Sequence, residues 1–225
     1  MKEFFHKHPY DIFIPDGTTK IIIGTLPPPR FSINVLKEKD VNFCYGSCDG
    51  MLWPVLDSIF KLSLRFDNSL EAVEERKAFL RREHLGICDI VASCKRHKVD
   101  ASDLGMQAIT LRDILFQLRK HPNITTIIFT GGNSKNGPEY FFRKQLKENG
   151  LSLTCTDNQV PRRHTFFYSK REITTIALTS PSTAANRAIG SMPLYKARRA
   201  KTPHYTTFDF RIEQYKQVFL SEQNK

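Results

Sequence analysis

The sequence predicts an α/β fold: a three-layer α/β/α sandwich around a central, mainly parallel four-stranded sheet. Three observations lead there. Four short runs are rich in β-branched residues, amphipathic helical patterns lie between them, and each run ends in a loop of small or polar residues. Strands that alternate with helices imply right-handed crossovers, and ligands of such sheets bind at the carboxyl ends of the strands.

The runs are Lys20 to Gly24, Gly86 to Val91, Ile124 to Thr130 and Ile173 to Leu178. Each is short and almost continuously apolar, as interior strands of a parallel sheet must be when helices cover both faces. Between them, Met51, Leu52, Val55, Leu56, Ile59 and Phe60 repeat on one helical face, and Ile109, Leu111, Ile114, Leu115 and Leu118 on another. A further helix is expected from Pro138, suited to a first helical position, to the stop signal Asn149-Gly150. A last one spans Phe208 to Leu220. Ser191 to Thr207 is long and basic, and is expected to form a surface excursion or a binding loop.

The chain of 225 residues, 40% hydrophobic and without internal repeats or an evident linker, is expected to form a single domain, 1-225. Its 34 Lys and Arg against 23 Asp and Glu give a formal charge of +11, which favours a polyanionic partner such as nucleic acid. Met1 to Tyr10 has no apolar core of a signal peptide, and no stretch approaches the ~20 apolar residues of a membrane span. A cytoplasmic protein with no membrane partner is the expectation. The five cysteines, Cys44, Cys48, Cys88, Cys94 and Cys155, are odd in number and scattered, so free thiols are expected. Neither Cys44-x3-Cys48 nor Cys88-x5-Cys94 has the CxxC spacing of a metal pair, and no metal or other cofactor is expected.

Four loops should converge on one rim of the sheet. The first, Gly24-Thr25-Leu26-Pro27-Pro28-Pro29, is stiffened by its prolines and lacks the donors of a phosphate-cradling nest. The second follows Gly86 to Val91 as Ala92-Ser93-Cys94-Lys95-Arg96. Gly131-Gly132-Asn133-Ser134 is weakly informative, since glycines after a strand serve turns as often as ligands. Thr179-Ser180-Pro181-Ser182 offers hydroxyls and amides that suit phosphate, with Asn186 and Arg187 just beyond. An aromatic-rich turn, Phe43 to Gly50, leads into the Met51 helix, where Asp49 is either a helix cap or a functional carboxylate. Basic residues cluster at Arg162-Arg163-His164 and at Lys196, Arg198, Arg199 and Lys201.

Taken in series, these segments resemble the uracil-DNA glycosylase superfamily, in particular its hypoxanthine-DNA glycosylase and mismatch-specific uracil-DNA glycosylase branches. The carrying residues are Ile23 to Pro27, Phe43 to Trp53, Gly86 to Cys94, Ile128 to Gly132 and Leu178 to Ser182, spread over roughly residues 10 to 190 in the family's order. The resemblance implies a monofunctional enzyme that hydrolyses the N-glycosidic bond of a flipped-out uracil- or hypoxanthine-type base in lesion-containing DNA, as a monomer. It implies a base pocket of Gly24, Thr25, Leu26, Tyr45, Asp89 and Asn133, with Tyr45 stacking on the base and amides around Thr25 and Leu26, or near Tyr45, stabilising the departing base. It implies DNA contacts at Ser180, Pro181, Ser182, Asn186, Arg187, Arg198 and Arg199.

Two departures bear on catalysis. The mismatch-specific enzymes carry an asparagine where this chain has Leu26, and the hypoxanthine branch one where it has Gly50. The neighbouring Asp49 is the expected replacement, a carboxylate that positions or deprotonates the attacking water. Two other readings share the fold: a protein that binds lesions in DNA without cutting them, and a nucleoside or nucleotide hydrolase. The +11 charge speaks against the latter, which has no need of a basic surface.

Overall fold

Strand Lys20–Gly24 shows why the sheet has two covered faces. Ile22 packs into one hydrophobic core and its neighbours Ile21 and Ile23 into a second, and all three are buried. The computed structural model describes residues 4–100 and 102–220. In chain order the first elements are β1 (Phe4–Lys7), β2 (Lys20–Gly24), α1 (Pro29–Ser32), α2 (Leu52–Phe60), α3 (Leu70–Arg82), β3 (Leu85–Asp89) and β4 (Val91–Arg96). They are followed by β5 (Gln107–Leu111), α4 (Ile114–Lys120), β6 (Thr126–Phe129), α5 (Pro138–Glu148), β7 (Thr154–Asp157), β8 (Arg162–Tyr168) and β9 (Arg171–Ala177). Three helices close the chain: α6 (Asn186–Ser191), α7 (Pro193–Lys201) and α8 (Thr207–Phe219).

The main sheet has the order β3-β2-β6-β9-β8-β7. Strands β3, β2, β6 and β9 run parallel and correspond to the four runs read from the sequence. The sheet is nonetheless six-stranded and mixed, because β8 and β7 add an antiparallel edge. The hairpin between β8 and β9 turns on Ser169 and Lys170, both at positive φ, as in a two-residue primed turn but without the usual Gly or Asn. Strand β7 is exposed along its length, so it carries no apolar pattern.

Residues of α2, α3 and α8 cover one face of the sheet, and those of α4 and α5 the other, which gives the three layers. Helix α5 starts at Pro138 and stops at Asn149, with Gly150 at φ +69, as the punctuation predicts. Helix α3, capped by Ser69, has charged residues over most of its surface and escapes an apolar-periodicity reading. Three other expectations need correction. Ile109 and Leu111 belong to β5, not to a helix, and the helix begins at Ile114 behind its cap Asp113. The segment Ala92 to Arg96 is not a loop but most of β4, in a second sheet of order β1-β4-β5. The basic stretch after Ser191 folds as α7, whose Tyr195 packs with Phe210 of α8 and with Ile189.

Chain order reverses direction between β2 and β6: β3 lies on one side of β2, whereas β6 and β9 lie on the other. Beyond the carboxyl ends of strands flanking such a switch point, diverging loops leave a crevice.

Candidate active site

A cleft of about 690 Å³ opens at that point, within the size range of small-ligand pockets. Its walls are Thr25 to Pro28 after β2, Tyr45 to Ser47 and Asp49 to Leu52 before and into α2, Asp89 at the end of β3, Thr130 after β6 and Ser180 to Ala185 after β9. Ser102 and Asp103, from the connection between β4 and β5, complete it.

The floor is built around a glycine. A Cβ on Gly24 would collide with the Tyr45 hydroxyl and the Asp89 carboxylate, so only glycine lets both groups close over the strand end. Tyr45 is held in the left-handed region at φ 57, which is costly for a bulky residue and is sustained by its surroundings. Its hydroxyl and the Thr130 hydroxyl share a hydrogen bond of 2.8 Å, and the buried Trp53 indole donates to Cys44 O at 2.8 Å just before it. Burial, followed by the nearby Asp89 carboxylate, pushes the Tyr45 phenol well above its ordinary range, so it stays protonated.

Asp89 is buried, and its Oδ2 is bonded to His8 Nε2 at 2.8 Å. The Tyr10 amide donates to His8 Nδ1 at 3.1 Å, which leaves Nε2 as the protonated nitrogen that donates to the carboxylate. The Asp89 oxygen beside Gly24 is Oδ1, at the cleft floor.

Asp49 stands at the mouth with 55% of its side chain exposed. Its Oδ2 takes a hydrogen bond from Lys37 Nζ at 2.8 Å and another from Arg30 Nη2 at 3.2 Å. Lys37 foremost, with Arg30, holds this carboxyl below its ordinary value. Arg30 is itself fixed by a two-pronged bond to the fully buried Asp40, at 2.7 and 2.8 Å. Burial alone would raise Asp40, but Arg30 and the amides of Cys48 and Lys37 outweigh it and keep Asp40 ionised far below the usual carboxylate range.

The wall after β9 is clamped from beneath by α8, where Arg211, Gln214 and Tyr215 share one face. The buried Arg211 donates to Ser180 O at 3.0 Å, to Ser182 O at 2.8 Å and to Asn186 Oδ1 at 2.8 Å. Gln214 Oε1 accepts from the Thr179 amide, and the Tyr215 hydroxyl donates to Thr179 O, both at 2.7 Å. The Met51 amide donates to Pro181 O at 2.7 Å, which ties this wall to the Tyr45 turn.

Gly24, Thr25, Leu26, Tyr45, Asp49, Asp89, Ser180, Pro181 and Ser182 lie together at this cleft. Asn133 does not: it is exposed and outside the cleft lining, because its turn carries it outward, while Asn136 is the buried asparagine of that loop. Asn186 faces inward onto Arg211. Arg187 is exposed at the start of α6, directly beyond the wall. On α7, Arg198 lies 3.7 Å from Glu213, and Arg199 reaches the Tyr195 hydroxyl at 3.5 Å. The Arg162 to His164 cluster belongs to β8, where Arg162 pairs with the buried Glu139 at 3.2 Å and His164 bonds Arg143.

Sequence reading missed His8, Arg211 and Asp103. The first two act from far along the chain. Asp103 opens a short 3₁₀ turn, half-buried, with the Thr25 hydroxyl 3.4 Å from its Oδ2. Burial pushes its carboxyl up to about 6, opposed by Arg96 and the Thr25 hydroxyl and reinforced by Asp89.

Among the described residues, no three His, Cys, Asp or Glu side chains are grouped to hold a metal ion, and no helix is long and apolar enough to cross a membrane. All five cysteines are free, with Cys44, Cys88 and Cys94 buried.

The architecture is thus an α/β/α sandwich with a switch-point cleft. No family model matches the chain, and no curated protein matches it. Among solved structures, it is similar to a Methanosarcina acetivorans protein known from solution NMR and provisionally described as a uracil DNA glycosylase. The identity is 16%, the TM-score 0.51, and the match covers 93% of this chain and 99% of that one. At that identity the likeness shows the shared fold.

Proposed function

We propose that the chain is a monofunctional DNA glycosylase that hydrolyses the N-glycosidic bond of a damaged or deaminated base, of uracil or hypoxanthine type, after the nucleotide leaves the stack. The observation that carries this reading is the convergence on one cleft of an anchored aromatic ring, Tyr45, and a buried, oriented carboxylate, Asp89. A flipped base needs a stacking surface and a polar group facing its edge, and this pair offers both. The likeness in fold to the Methanosarcina acetivorans protein supports it further.

In this reading, the bond to the base breaks with oxocarbenium character at the sugar, and the amides around Thr25 and Leu26 stabilise charge on the departing base. Ser180, Pro181 and Ser182, braced by Arg211, grip the phosphates beside the extruded nucleotide. Arg187, Arg198 and Arg199 supply positive charge to the backbone, consistent with the +11 balance of the chain. Asp49 orients water at the mouth rather than deprotonating it, since Lys37 and Arg30 lower its proton affinity. The chain works as one domain, a cytoplasmic monomer without a cofactor.

A second reading keeps DNA binding and drops the chemistry. It is favoured by Leu26 and Gly50, which put no polar side chain at the two positions where the resembling enzymes carry asparagine. Duplex and single-stranded oligonucleotides carrying one uracil, hypoxanthine, xanthine or alkylated base, treated with excess protein and then alkali, separate the two. Strand cleavage at the lesion supports the glycosylase; retention of every lesion in a tight complex supports the binder.

A further inference from the structure

The connection between β4 and β5 is fastened with unusual care for a loop that is exposed elsewhere. Arg96, whose side chain is 1% exposed, donates to Ser102 O at 2.6 Å and lies 3.6 Å from Asp100. Its Nε donates to His6 Nδ1 at 2.9 Å, and burial, then Arg96 and His8, lower His6 to about 4, so the ring is neutral and can accept. From the other side, the buried Asn136, itself at φ 62, donates to Asp103 O at 2.9 Å. Two buried polar side chains thus fix the backbone that aims one carboxylate into the cleft, beside Thr25.

We propose that Asp103 is the catalytic base, the group that takes a proton from the attacking water; this rests on the glycosylase reading. It lines the cleft next to Thr25 in the first loop, whereas Asp89 is engaged by His8 on the floor and Asp49 by Lys37 and Arg30 at the mouth. The water oxygen bonds to the anomeric carbon as the bond to the base nitrogen breaks, and the bonding pair leaves with the base. One water proton passes to Asp103 and the other stays on the new sugar hydroxyl; Asp103 then returns its proton to the released base or to solvent.

The environment suits proton transfer near neutrality. The groups facing Asp103 are the Arg96 guanidinium, the Thr25 hydroxyl and the Asp89 carboxylate, and Asp100 lies 3.6 Å from Arg96. Burial dominates, so the carboxyl holds a proton up to a pH of about 6 and is a stronger acceptor than Asp49 above it.

The test compares single-turnover excision by wild type, Asp103→Asn, Asp103→Glu and Asp49→Asn across pH, with lesion-duplex binding and melting temperature measured in parallel. Asp103→Asn is expected to slow excision by roughly 100-fold or more. It should also abolish the acid limb that wild type shows near pH 6, while leaving binding and melting intact. Asp103→Glu should restore part of the rate and, with it, the limb. An active wild type whose Asp103→Asn variant stays within about threefold in rate, or keeps the limb, overturns the assignment and leaves the glycosylase reading standing. A wild type that releases no base overturns both.

Discussion

His8 and Asp89, 81 residues apart in the chain, meet inside the protein at 2.8 Å, the imidazole donating through Nε2 and the carboxylate accepting through Oδ2. Because the Tyr10 amide occupies Nδ1, the ring cannot swap roles without losing that bond. Asp89 is thereby kept as an acceptor whose second oxygen faces the floor.

Removing the donor leaves a buried carboxylate without its partner. His8→Ala is expected to destabilise the fold by about 2 to 3 kcal/mol, the scale of a hydrogen bond to a charged group, measured by urea unfolding. Asp89→Asn presents an amide instead of an acceptor-only group and should change the ratio of rates between lesion types more than it changes DNA binding. An unchanged ratio would remove Asp89 from base recognition.

Gly24→Ala places a methyl group against the Tyr45 hydroxyl and the Asp89 carboxylate, neither of which is the loose end of a flexible side chain. The expected cost is about 1 to 3 kcal/mol of stability, the range for overpacking. Excision should fall by a larger factor than stability alone explains, because both base-facing groups are displaced. Melting temperature and single-turnover rate, taken together, check this.

Arg211→Met removes the donors shared by Ser180 O, Ser182 O and Asn186 Oδ1. A loss of about 2 to 4 kcal/mol is expected from the carbonyls left unpaired. Amide hydrogen exchange should rise selectively in 179–187, and affinity for DNA should fall. Uniform exchange across the chain would mean that Arg211 serves the core rather than the wall.

The basic residues make a separate prediction about salt. Each phosphate contact contributes roughly one unit to the slope of log affinity against log salt. Arg187→Ala should therefore flatten the slope by about one unit on any DNA sequence, and the double change of Arg198 and Arg199 by about two. A slope identical to wild type would move the DNA footprint elsewhere.

The four parallel strands were legible because burial on both faces leaves nearly unbroken β-branched runs, as in Ile21, Ile22 and Ile23. Helix α5 was legible from Pro138 and from Asn149-Gly150. The β8–β9 hairpin was not, since Ser169 and Lys170 adopt left-handed conformations that sequence normally signals with Gly or Asn. Ile109 and Leu111 mimic helical spacing when read with Ile114, although their two-residue separation is that of a strand. In the site, residues next to strand ends were found from their loops. His8, Asp103 and Arg211 were not, because their roles depend on contacts between distant segments and carry no local motif. Asn133 is exposed whereas Asn136 is buried, and position in a loop says little about which side chain turns inward.

In the proposed function, the cleft holding Tyr45 and Asp89 releases a base from DNA by hydrolysis. Intact mass spectrometry of single-lesion oligonucleotides after incubation with excess protein tests it most directly. The expected product, for at least one uracil- or hypoxanthine-type lesion, is a strand that has lost the base and gained a water while remaining uncut, and no such product forms with Asp89→Ala and Tyr45→Ala combined. Strands of unchanged mass across every lesion would contradict it.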